Sequence, residues 1–135
     1  MMKATMQSND GYKPERRSSV PINAEIRVYY GACTSKLLTG YSIDLNSNGV
    51  FLVTTCPFDV DDNVKLKLFI PLQEEIIVSC VARVAWINHE NNPPKPEYPA
   101  GVGLQFIDLT PENLKFIANF LKSKQLSILS QETIV

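Results

Sequence analysis

The sequence predicts a mainly β fold, six antiparallel strands in a small β-barrel or sandwich, followed by one C-terminal α-helix. Three observations lead there. Between residues 22 and 107, short apolar segments recur, most with period two, and turn formers separate them. At Thr110 the apolar spacing changes to that of a helix. No strand candidate is followed by a glycine-rich loop and a helix, which disfavours a doubly wound nucleotide fold.

Each element has its own signal. In AEIRVYYG, Ile26, Val28 and Tyr30 alternate with Glu25, Arg27 and Tyr29, the mark of a half-buried strand. LLTGYSIDL and VFLVTT flank Asn46–Gly49, a strong turn signal, and so form a hairpin. PFDVDDN reads as a loop, because Pro57 lacks a ladder donor and Asp61, Asp62 and Asn63 favour turns. VKLKLFI points Val64, Leu66, Leu68 and Ile70 inward and Lys65 and Lys67 outward. IIVSCVARVAWIN is long and rich in β-branched residues, which suits a bent barrel strand. Trp86 sits there at strand spacing and is expected to be at least partly buried in the core, not exposed as a stacking platform. NHENNPPKPEYP is a polar, proline-rich loop, and AGVGLQFIDL is the last strand. Thr110 suits an N-cap and Pro111 the first helical position, with Leu114, Ile117, Ala118 and Leu121 at helical spacing. The helix is expected over 111–123, with frayed residues after it. The expected organisation is a flexible N-terminal tail over 1–15, the barrel domain with its helix over 16–124 and a C-terminal tail over 125–135.

Composition narrows the function. The 135 residues are 44% hydrophobic and 20% charged, and the net charge is −1. That balance points to one soluble domain and to no DNA or RNA partner. The apolar runs are too short for membrane insertion and no secretory signal is visible, so a cytoplasmic protein is expected. Cys33, Cys56 and Cys80 are odd in number and lack a C-x-x-C pair, which predicts free thiols and no metal.

Catalysis has little to work with. His89 is the one histidine and falls in the polar loop. Asp59, Asp61 and Asp62 lack the ligand spacing of a calcium loop and suit a turn. The chain is therefore read as a binder and not an enzyme, with no catalytic residue and no resident cofactor. Two clusters remain. Arg16 and Arg17 are adjacent guanidinium groups, which grip phosphate in a bidentate manner and stack on purines. A solvated basic linker accounts for them equally. Asp44-Leu45-Asn46-Ser47-Asn48-Gly49 offers acceptors and donors at a turn, and ordinary hairpin chemistry accounts for it too.

Taken together, these two clusters resemble the PilZ family, bacterial receptors of the second messenger cyclic di-GMP. The family pattern is R-x-x-x-R in an N-terminal loop, then [D/N]-x-S-x-x-G on the barrel. D-L-N-S-N-G matches the second element at Asp44, Asn46 and Gly49, with Asn46 in the serine position. RVAWIN, the V-G-(L/V)-x-F signature in AGVGLQFIDL and the helix after T-P-E extend the resemblance over roughly residues 13–122. The arginine element is degenerate: its two positions fall at Glu15 and Ser19, with Arg16 and Arg17 between them. The resemblance implies a single-domain PilZ-like barrel that binds cyclic di-GMP through Arg16, Arg17, Asp44, Asn46 and Gly49, ordering its arginine loop as the signal. The alternative it leaves open is a degenerate PilZ domain without nucleotide. Such a domain would dock an unidentified signalling, type IV pilus or motility protein through an apolar patch or the loop Pro93–Pro99.

Overall fold

The computed structural model describes residues 25–32 and 36–134, and side chains as far as Leu126. The expected tail over 1–15, Arg16, Arg17 and Cys33 lie outside the described residues. Six strands, β1 (Ile26–Gly31), β2 (Leu38–Ile43), β3 (Gly49–Val53), β4 (Asn63–Pro71), β5 (Glu75–Asn88) and β6 (Gly101–Phe106), precede one helix, α1 (Pro111–Ile134). The strands close in the order β1-β2-β3-β6-β5-β4, and every neighbouring pair is antiparallel. Closure removes the sheet edges that would otherwise invite pairing with other chains.

Alternation along the strands builds the core. Ile26, Val28, Leu66, Leu68, Val78, Ala82 and Val84 are almost wholly inaccessible inside the barrel. Tyr30 is also inward, and its hydroxyl is satisfied by the Thr54 Oγ1 atom at 2.9 Å. Helix α1 plugs the core with Ile117, Phe120 and Leu121. Its start follows the sequence reading: the Asn113 amide donates to Thr110 Oγ1 at 3.1 Å, an N-cap.

Two elements differ from expectation. The helix continues to Ile134 instead of fraying after Lys124. Residues 125–134 contain no proline or glycine to stop it, so backbone bonding propagates onward. The second difference is a bulge in β5. Val84 pairs with Leu104 but Trp86 pairs with Gly103, leaving Ala85 as one extra residue. A bulge shifts the alternation by one. Trp86 therefore leaves the inward row of Val84 and is half-buried on the outer face of the barrel. Among the described residues no helix is long and apolar enough to cross a membrane.

Candidate functional site

The D-L-N-S-N-G turn is shaped by its own side chains. Asn46 Oδ1 accepts from the Asn48 amide at 2.7 Å and the Gly49 amide at 3.0 Å, while the Asn46 amide donates to the Gly49 carbonyl at 2.9 Å. Leu45, with none of its surface exposed, pins the turn to the core. Asp44 takes a left-handed backbone with φ 55° and lines the cleft beside the turn. Gly49 is required by close approach: a Cβ there would lie 1.9 Å from the Leu104 carbonyl oxygen. Asn46 thus has its carbonyl oxygen engaged by the turn, and among the described residues no bond engages its side-chain amide.

Beside this turn lies an open cleft of about 320 Å³ on the outer face of β3, β6 and β5. Its size is at the lower end of small-molecule sites. Asp44, Asn46 and Gly49 line one side. The floor is the row Phe51–Gly103–Trp86, in pairing register across the three strands. Gly103 has no side chain to fill the row, and the Trp86 indole lies over it; a Cβ on Gly103 would stand 1.9 Å from Trp86 Nε1. Phe51, 3% exposed, packs 5.4 Å from Trp86 and 5.1 Å from Tyr98, ring centre to ring centre.

The far wall comes from the loop between β5 and β6. Tyr98 donates its hydroxyl to Asp44 Oδ2, tying the loop to the turn. That bond, with a smaller contribution from burial, pushes the Tyr98 phenol up to about 12. Lys95 Nζ lies 5.3 Å from the Trp86 ring centre and 5.2 Å from that of Tyr98. Gln105 adds a carboxamide whose oxygen accepts from Arg83 at 2.8 Å.

Of the residues singled out from the sequence, Asp44, Asn46 and Gly49 meet at this cleft. Phe51 was not among them; Trp86 was read as core, and Lys95 and Tyr98 fell in the loop Pro93–Pro99, read only as an alternative protein-docking surface. The bulge at Ala85 had no sequence signal, and nothing in the proline-rich loop's sequence shows that Tyr98 reaches Asp44. A second cleft of about 420 Å³ is lined by Cys56, His89 and Thr54 among others. Its Thr54 is engaged internally: the Oγ1 atom bonds Tyr30 and accepts from the Cys56 amide at 3.0 Å. Among the described residues no cluster of three or more His, Cys, Asp or Glu could hold a metal ion. Cys56 and Cys80 are free thiols, and burial, aided by the Asp108 charge, pushes Cys80 up to about 12.

Comparison with known proteins bears on this geometry. The family model described as the PilZ domain matches residues 13–123, most of the chain. The chain belongs to the PilZ domain family. Among solved structures, this PilZ domain is similar to the Bacillus subtilis inhibitor of motility, MotI/DgrA. The two share 19% identity with a TM-score of 0.69, over 83% of this chain and 52% of that one. The chain spans about half the length of that protein, and at this identity the likeness shows the fold. A search of curated protein sequences finds no significant match.

Proposed function

We propose that this PilZ domain is a cyclic di-GMP receptor that works by binding, without catalysis. The cleft beside the D-L-N-S-N-G turn takes the dinucleotide, and Arg16 and Arg17 bring charge to its phosphates. The observation that carries the reading is that Asp44, Asn46 and Gly49, the positions matching the second motif of a cyclic di-GMP-binding family, line one cleft with a half-buried aromatic floor. Asp44 keeps acceptor capacity after the Tyr98 bond, and the Asn46 amide is a donor. Together they suit the edge of a guanine.

Calorimetric titration of the full chain with cyclic di-GMP, with GMP and GTP as controls, tests it. The expected result is binding of the cyclic dinucleotide alone, abolished when Arg16 and Arg17 are both replaced by alanine. Glu15→Arg with Ser19→Arg restores the family spacing and removes a carboxylate that repels phosphate, so it should tighten binding. Absence of binding in both the wild type and this double variant would discard the receptor reading.

A second reading, an interaction module for a signalling or motility protein, has one observation of its own. On the outer face away from the cleft, Tyr41 (41% exposed) pairs in register with Arg27, and Ile77 (53% exposed) with Phe69. Arg27 lies 3.9 Å over the Phe69 ring and 3.3 Å from the Glu75 carboxylate, so the four form an apolar strip edged by an ion pair across β2, β1, β4 and β5. Such a strip suits a protein partner. It separates from the receptor reading because Tyr41→Ala and Ile77→Ser should leave nucleotide binding unchanged.

A further inference from the structure

We propose that the loop between β5 and β6 is a ligand-binding arm: Lys95 carries a cation to a ligand phosphate, and Tyr98 lines, with Trp86 and backed by the buried Phe51, an aromatic slot for a planar base. The inference rests on the reading that the cleft takes a cyclic dinucleotide, and it assigns roles to Lys95 and Tyr98, which lie outside the segments that carry the family resemblance.

The loop NHENNPPKPEYP has the composition of a linker, yet a buried group holds it in place. Asn88, 1% exposed, donates through Nδ2 toward the carbonyls of Lys95 (2.9 Å), Tyr98 (3.2 Å) and Pro99 (2.9 Å). Its Oδ1 accepts from the Lys95 amide at 2.8 Å. The Tyr98 amide donates to the Lys95 carbonyl at 3.0 Å, closing a turn. Four prolines restrict the rest of the loop. A single buried carboxamide thus fixes the backbone at both Lys95 and Tyr98, the two residues whose side chains reach the cleft. A mere connection between strands has no need of that anchoring.

What the arm presents is chemically specific. Tyr98 stands edge-on to Phe51 with an interplanar angle of 88° and lies 6.4 Å from Trp86. Among the described residues Lys95 has no ion-pair partner; its ammonium is held only over the Trp86 and Tyr98 rings. Cation–π contact at an exposed site is weak, and a lysine stem is flexible. A base entering the slot takes over the ring face, and the ammonium swings to the phosphate. The arginine element departs from the family spacing, with Glu15 and Ser19 at its two positions, and Lys95 on the cleft wall adds a cation to those that Arg16 and Arg17 bring.

The chain has one tryptophan, Trp86, so its fluorescence reports on the slot directly. Full-length wild type, Lys95→Ala, Lys95→Glu, Lys95→Arg and Asn88→Ala are titrated with cyclic di-GMP by calorimetry and by Trp86 emission. Lys95 is exposed, so its variants should melt like the wild type. Expected are quenching in the wild type, about tenfold weaker binding in Lys95→Ala, still weaker binding in Lys95→Glu and near-normal binding in Lys95→Arg. Rising salt should weaken the wild type more than Lys95→Ala. Asn88 is a positioning residue, and its variant should lose affinity while retaining that salt dependence. Wild-type binding with Lys95→Ala and Lys95→Glu within about twofold of it would overturn the arm alone. Neither heat nor quenching in the wild type would overturn the receptor reading, and the arm with it.

Discussion

Replacing Gly49 by alanine should damage the barrel far more than the same change at Gly103, although the two glycines face the same cleft. A Cβ on Gly49 would meet the Leu104 carbonyl oxygen at 1.9 Å and its carbon at 3.0 Å. Those atoms belong to the backbone of β6, so relief requires β3 and β6 to part by about an ångström. Such parting disturbs the bond from the Phe106 amide to the Asn48 carbonyl (2.8 Å) and the bond from the Gly49 amide to Asn46 Oδ1 (3.0 Å). Two weakened hydrogen bonds at ~1 kcal/mol each and ~1–3 kcal/mol of overpacking oppose a gain of ~0.4–1 kcal/mol from a stiffer unfolded chain. The net loss is about 2–4.6 kcal/mol, or roughly 6–28 °C in Tm at about 3–6 °C per kcal/mol for a domain of this size. At Gly103 the nearest atom is Trp86 Nε1 at 1.9 Å, the end of a half-buried side chain that can swing outward. Gly103→Ala should therefore cost under about 1 kcal/mol while shifting Trp86 emission to the red. Urea unfolding followed by circular dichroism and tryptophan fluorescence measures both. A Gly49→Ala protein within about 0.5 kcal/mol of wild type, or less stable Gly103→Ala protein, would refute the close-approach argument.

Two further outcomes can be measured without ligand. Tyr98 has its pKa raised from 10.0 to about 12, so folding favours the neutral phenol: its contribution is complete below pH 10 and lost as pH rises through about 12. Asp44→Asn should move one tyrosine, followed by absorbance of the phenolate, back toward pH 10; an unchanged titration would mean that the Tyr98–Asp44 bond does not form in solution. Cys80 is buried, with its pKa pushed up to about 12, so in the native protein it should react with a thiol reagent only on unfolding, well after the half-buried Cys56. Equal rates at the two sites, read by mass spectrometry, would contradict that burial.

Most of the barrel was legible because it rests on local chemistry. Period-two alternation marked β1 and β4, β-branched content marked β5, the Asn and Gly residues of 46–49 marked the turn between β2 and β3, and Thr110-Pro111 marked the helix start. The turn half of the candidate site was legible for the same reason, since Asn46 and Gly49 act within four residues of one another. The rest of the site depends on long-range geometry. Trp86 reads as core from V-A-W-I alone, and only the register with β6 reveals that Ala85 is an extra residue. The Tyr98–Asp44 bond joins residues 54 apart in sequence, and the anchoring of the loop depends on Asn88 being buried by the closed barrel. Neither relation has a local pattern. The helix beyond Lys124 was missed because its weak apolar pattern suggested fraying, while the absence of a breaker decided the outcome.

The cleft exists because the barrel departs from regularity at two places. In an unbroken antiparallel sheet, strict alternation would send Trp86 inward after Val84, leaving no aromatic floor beside Gly103. The bulge at Ala85 reverses that, and a bulge disrupts the ladder locally. At the other side, left-handed Asp44 costs about 1–2 kcal/mol for a residue with a Cβ. Burial of Leu45, at about 1.5–3 kcal/mol for a fully buried aliphatic side chain, is enough to hold that conformation. Neither departure is needed to close the barrel, whose inward rows are complete without Trp86 and Asp44. Their joint effect is to face an aromatic ring and a carboxylate into one space, and a loop fixed by Asn88 then adds a cation and a second ring. Irregularities that converge on one cleft, and are separately stabilised from the core, argue that the cleft is what this barrel is built to present.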